Sequence, residues 1–527
     1  LGVNLSEKEI NDILNTEIDG KKVIDSFTSN GIPHGKGTAE FGKLLSEPVP
    51  GKKKAKLSKE EKIRKLAQEL DVIHNTKDFS KAGEEYIANR ESELLNLKIE
   101  RERVKQKIKN ETAALEFANR SRSQKIKEGV ADVFNVPRSI MASFDFSAPF
   151  RQGLVASVAH PTSAMKAVKE MFTQFASKEK FQNWSHEYRL SPEYELGKKS
   201  ELYIAEAEAT GLNGKEEAFM SNLAEKIPGA GSVIKASERA YVGYLNKLRS
   251  DVFKNGSEVL MKQGKTFETH PEEFKALANF VNTSTGRGKL ANKTIEDAAP
   301  LLNAAFFSPR LIASRVNLLN PIYYAKMPPS VRLMAAKDMG VFLAFAATTL
   351  SLAKLAGADV EEDPRSSDFG KVKVGDTRIE FLGGLGGYVH FAAKQISGKK
   401  KTESRITDLT IPNFNGSSTG TELLKFARQK FSPVHATFWN LRFGKDAMGK
   451  RVTVKDELYK NFTPLIYQDM SEAYKHGGWD NVSKTVIPAI FGISVKSYNN
   501  EETQEDRERE KEFNKEDREK KRENRKE

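Results

Sequence analysis

The sequence predicts a mainly α protein: multi-helix bundle units with one small β-hairpin, a long N-terminal helix and charged flexible ends. Three observations predict it. Apolar residues recur at three-four spacing over long stretches, prolines cut the middle of the chain into helix-length pieces, and a period of two surfaces in one place. At 527 residues the chain exceeds what one core serves, so several packed units are expected.

Residues 1–57 carry scattered Gly and Pro and end in a basic run at Lys52–Lys54, which reads as an extended arm or linker. Ser58 and Glu61 have capping-box spacing and open a charged region over 58–136. Within it, Leu94, Leu97, Val104, Ile108, Leu115 and Ala118 place a long helix over about 82–130. Arg101 and Glu111 interrupt that seam, so a coiled-coil arm for a homo-oligomer and a long surface helix packed on its own protein both remain open.

Region 137–360 reads as a helical bundle punctuated by Pro161, Pro192, Pro228, Pro271, Pro300, Pro309 and Pro328-Pro329. Its most apolar window, Met339–Ala353, holds fifteen residues without a charge between Asp338 and Lys354. Fifteen helical residues rise about 22 Å, short of a hydrocarbon core of about 30 Å, so a buried core helix is expected. Its small residues leave a conditional membrane contact open, through Leu343, Ala347 and Leu350.

Residues 361–500 are expected to hold the hairpin and further helices. Val372 and Val374, then Thr377, Ile379 and Phe381, alternate about a turn at Gly375-Asp376. The glycine cluster Gly383–Gly387 leads into a helix over about 388–396, and another helix follows over about 421–428. The tail 501–527 interleaves both signs of charge and reads as disorder or a solvated helix.

Composition excludes more chemistry than it proposes. There is no cysteine, which removes disulfides, Cys-ligated zinc and thiol nucleophiles. The eight histidines are too scattered for a metal site, and no cofactor is expected. Gly416-Ser417-Ser418-Thr419-Gly420 fits the nucleophile-elbow pattern, with His476 downstream. It follows a Pro- and Asn-rich stretch at 411–415 that cannot be the buried strand an elbow needs. The glycine cluster lacks the lysine of a phosphate loop and reads as a tight chain reversal. A net charge of +13 favours an anionic partner: DNA contacted without sequence preference, a membrane surface or an acidic protein face. The chain opens Leu1-Gly2-Val3 without a signal peptide, and it is expected to be a fragment or processed product of something longer.

Several blocks resemble the large polyvalent protein-associated domain family of bacteriophage internal virion (ejection) and structural proteins. They are FDFSAPFRQG from Phe144, KIPGAGSVIKASERAYVGYLNKLRSDVF from Lys226, VNTSTGRG from Val281, LLNAAFFSPRLIASRVNLL from Leu301, the hairpin-glycine-helix run from Ser366, and FARQKFSPVHATFWNLRFGKDAMGKRVT from Phe426. FTPLIYQDMSEAYKHGG and FGISVKSY close the series. The resemblance implies a non-enzymatic virion component, internal or ejected with the genome. Its implied partners are other virion proteins (portal, capsid or internal proteins), and on delivery the host membrane. It names no catalytic residue. Arg310 and Arg315 flank an apolar stretch and suit the bridging of helix ends; the alternative is that Arg151, Arg239, Arg310 and Arg315 line a DNA path. Two rival readings are a non-catalytic segment of a larger phage enzyme, such as a virion polymerase or cell-wall lytic protein, and a pore-forming membrane protein.

Overall fold

The computed structural model describes residues 146–205, 231–290, 305–374, 377–402, 405–411, 418–447, 449–490 and 493–497, with isolated positions between 63 and 141 and at 295 and 302. The arm 1–57, the tail 501–527 and the turn Gly375-Asp376 lie outside them. Contacts divide the chain into two units, Leu1–Ser121 with Gln182–Ser191, and Arg122–Phe181 with Pro192–Glu527.

In the first unit, residues 92–101 are helical, as are 104, 108, 111, 112, 115 and 119, within the span expected of the long helix. The buried residue of this stretch is Ile99, which lies off the expected seam, while Leu94 and Leu97 on it are half-buried. Trp184 and Tyr188, one helical turn apart, stack at 5.4 Å.

The second unit opens with α1 (Ala148–Arg151), α2 (Leu154–Ala159), α3 (Pro161–Ala176), α4 (Lys178–Arg189), whose later half belongs to the first unit, and α5 (Pro192–Lys199). Next come α6 (Gly231–Lys262), α7 (Pro271–Ser284), α8 (Pro309–Leu319), α9 (Pro321–Ala325) and α10 (Pro329–Leu355). Of the punctuating prolines, Pro161, Pro192, Pro271, Pro309 and Pro329 each supply the first residue of a helix, where the missing N–H is not needed and φ is already set.

The 32-residue α6 is the axis of the core. Tyr244, Leu245, Leu248 and Phe253 are fully or almost fully buried, and α3, α7 and α5 pack along it. Polar ties cross the same core. Arg249 Nε donates to Thr285 Oγ1 at 2.7 Å, Ser314 Oγ donates to Thr283 O at 2.6 Å, and Arg315 donates to Arg151 O. Each tie joins two of the sequence blocks, so the blocks meet in space as well as following one another along the chain.

Beyond α10 come β1 (Asp359–Val360), β2 (Lys371–Val374), β3 (Thr377–Glu380), α11 (Leu385–Ser397), β4 (Lys399–Lys401) and β5 (Ile406–Asp408). They are followed by α12 (Thr419–Arg428), α13 (Pro433–Phe443), α14 (Val454–Phe462), α15 (Leu465–Ile490) and β6 (Ser494–Ser497). The expected hairpin is β2–β3, with Val372 opposite Ile379. It sits inside a larger antiparallel sheet of order β1-β2-β3-β6, and β4–β5 form a second ladder. β1, β4 and β5, of two or three residues, show too little alternation to be read from sequence. Gly383 and Gly384 both take positive φ, and a Cβ on Gly383 would stand 2.4 Å from Leu154 Cδ2, so the cluster is a reversal packed onto α2. Leu385, at the start of α11, belongs to the same core as α6.

Candidate membrane-contact helix

The apolar window expected to be a core helix is instead mostly uncovered. α10 continues the Met339–Ala353 run by ten residues toward its N-terminus, and its 27 residues rise about 40 Å. Its best 18-residue window has a mean hydropathy of 1.4 and is 17% buried. Val331, Ala335, Phe342 and Ala346 are the buried positions, spaced four, seven and four apart on one narrow stripe facing α2 and α7. Elsewhere on the circumference the side chains face outward: Leu333 is 74% exposed and Leu343 57%, with Ala347 exposed and Leu350 half-exposed. An apolar run does not record whether a neighbour exists to cover it, so the core expectation fails.

Polar contacts fix α10 at its ends. Lys265 Nζ donates to Ser330 Oγ at 2.6 Å and to both carboxylate oxygens of Glu273. Arg332 folds back onto the carbonyls of Ala325 and Met327, closing the turn before the helix. Asp338 meets His160 Nε2 at 2.9 Å, joining α10 to the residue that precedes α3. From there to Lys354 the helix carries no charge. Gly340 and Ala344 lie on the side opposite the buried stripe, where they leave the backbone bare.

At the C-terminal end of α10 a cleft of about 700 Å³ is lined by Asp359, Glu361, Asp363, Asp368, Lys371 and Lys401, among others. Its charges answer one another. Lys401 pairs with Glu361 at 2.8 Å, Arg365 with Asp363 at 2.7 Å, and both Lys371 and Arg378 with Asp368. The Arg365 guanidinium holds the Asp363 carboxyl down at about 2. No group of three metal-ligating side chains occurs among the described residues.

The arginines read from sequence divide by role. Arg315 is 2% exposed and donates to Arg151 O, so it cannot reach a phosphate. Burial draws its pKa down to about 10, which leaves it charged at neutral pH. Arg239 spends its guanidinium on the carbonyls of Gln174 and Phe175 at the end of α3. Arg151 and Arg310 are half-buried, and the Arg310 carbonyl accepts from Gly288 N. Of the four, Arg239 and Arg315 therefore spend their guanidinium groups as ties between helix ends. Ser418 serves as a helix cap. Its Oγ accepts from Thr421 N at 3.2 Å as the N-cap of α12, and the Thr421 side chain answers in a capping box.

Sequence reading missed Arg249, whose partners lie 36 residues away and leave no local signature. It also missed the outward apolar faces of α12, α13 and α14, because a helix of nine to eleven residues shows which side is apolar but not which way that side points. The chain matches no protein family, no curated protein and no solved structure with which it was compared, so the block resemblance rests on the quoted residues alone.

Proposed function

We propose that the chain is a non-enzymatic component of a bacteriophage particle, an internal protein carried with the genome and delivered to the host envelope, where α10 meets lipid. The observation that carries this reading is the uncovered helix. Leaving so much apolar surface in water is costly, at roughly 25 cal/mol per Å², and a contiguous exposed patch of this kind marks a partner or membrane surface. A core helix and an N-terminal signal sequence pass the same length and hydropathy test. The first would be mostly covered and the second would not sit mid-chain. The sequence blocks supply the virion context, with portal, capsid and other internal proteins as partners inside the particle. The net charge of +13 suits packaged DNA there and anionic lipid after release.

Two measurements test the proposal. Mass spectrometry of purified particles should find the peptide in full particles and lose it from emptied ones, and retention after genome release would refute delivery. In flotation with lipid vesicles the chain should rise with the lipid, and Leu343→Asp with Ala347→Asp should abolish that. Gly340 and Ala344 on the outward side permit close helix pairing within lipid, so dye leakage from the same vesicles distinguishes a pore from an anchor.

A further inference from the structure

In the helical segment 419–462 a buried polar network links the helices while several large apolar side chains face outward. Between α13 and α14, Thr437 Oγ1 donates to Glu457 Oε2 at 2.7 Å, Asn440 Nδ2 donates to Glu457 Oε1 at 3.1 Å, and Asn461 Nδ2 donates to Thr437 Oγ1 at 2.7 Å. Glu457, Asn440 and Asn461 are all buried. Arg428, at the end of α12, joins the same network through Asn440 Oδ1 at 3.0 Å. Glu422 on α12 is likewise turned inward, between Lys394 and Lys400. Facing out are Leu423, Phe438, Leu441, Val454, Leu458 and Phe462, with Phe438 63% and Leu458 54% exposed. Water favours the reverse arrangement. Internal satisfaction of polar groups beneath an apolar exterior is the arrangement that a lipid environment requires.

From this inversion we infer that α12–α14 form a docking surface for an anionic lipid surface. Two further facts choose that occupant. The helices are short: α13 rises about 16 Å and α14 about 14 Å, about half the hydrocarbon thickness, which suits shallow burial in one leaflet rather than crossing. The segment is also basic, with nine Lys and Arg against four Asp and Glu, and two of those acids, Glu422 and Glu457, point inward. A symmetric contact with a second copy would set like charges against one another. Anionic headgroups meet them with the opposite sign. The inference uses residues separate from α10 and does not rest on a role in a virus particle.

Because the chain has no cysteine, one introduced thiol gives one labelled site in the full chain. Leu458→Cys and Phe462→Cys, each carrying a nitroxide, are read by their collision with oxygen and with a water-soluble nickel chelate. With vesicles of phosphatidylglycerol and phosphatidylethanolamine, both labels should gain oxygen access and lose nickel access, and with phosphatidylcholine alone the change should be much smaller. Labels that stay open to nickel on the anionic vesicles overturn the inference. Equal burial on both vesicle types removes the anionic partner and overturns it in that form. Dipolar broadening between labels in lipid-free solution overturns it in favour of a second copy. These positions are exposed, so the substitutions open no core; Phe438→Ser with Leu458→Ser should in addition cost flotation. A Leu343→Cys label read in parallel separates the two readings. If it stays wet while 458 and 462 are buried, α10 fails as the lipid contact and this surface stands; if it is buried while 458 and 462 stay wet, this surface fails and α10 stands.

Discussion

Arg249 grips Thr285 at two points, donating from Nε to the hydroxyl at 2.7 Å and from Nη2 to the carbonyl at 3.0 Å, with the guanidinium 5.2 Å from the centre of the Tyr203 ring. The side chain is fully buried within α6. Arg249→Ala should leave both a cavity and an unanswered carbonyl, and cost about 3 kcal/mol or more. Arg249→Lys keeps the charge but cannot fork, so it should recover only part of the loss. Urea midpoints of the two variants decide it; equal midpoints for Arg249→Lys and the parent would show that the fork is unimportant.

Two glycines should respond with opposite signs. A Cβ on Gly288 would lie 2.3 Å from Ser314 N, backbone against backbone, so Gly288→Ala should destabilise by roughly 1–3 kcal/mol. A Cβ on Gly340 meets nothing, and alanine is the better helix former, so Gly340→Ala should be neutral or stabilise by up to about 1 kcal/mol. Thermal unfolding of both variants checks the pair.

Neighbouring residues on α10 should differ just as sharply. Phe342 is buried in the stripe against the core and Leu343 faces out. Phe342→Ala should cost about 3 kcal/mol, whereas Leu343→Ala should stay within about 0.5 kcal/mol. A large loss at Leu343 in lipid-free buffer would mean that α10 is covered after all.

Acid should weaken the second unit through His390. Burial, then the nearby Lys394 and Lys371, push its pKa down from 6.5 to about 4. Between those values the unfolded chain binds a proton that the folded chain refuses, so stability is full above about pH 6.5 and falls as pH drops toward 4. With the side chain partly exposed, the loss is on the order of 2 kcal/mol. His390→Gln should flatten that limb of a stability-against-pH curve while leaving the further fall near pH 2–4, where Asp363 releases Arg365.

The sequence announced the helices well because proline acts locally: Pro161, Pro192, Pro271, Pro309 and Pro329 each fix a start through φ alone. The β2–β3 hairpin was legible from its alternation. The partners β1 and β6 were not, since pairing of Ile379 with Val495 is decided across residues far apart in the chain. For the candidate site the limit is similar. The composition of α10 named Leu343 and Ala347, but their exposure depends on which side of the helix its neighbours such as α2 and α7 cover, which composition does not record.

The sheet order has a consequence for how the molecule is made. β6 lies beside β3, yet residues 381–493 separate them. During synthesis the free edge of β3 must wait for those intervening residues and β6 itself to leave the ribosome before its ladder can close. Until then one edge of Thr377–Glu380 offers unpaired backbone to any other strand nearby, which makes the interval before β6 emerges the one in which this sheet is most open to misassembly.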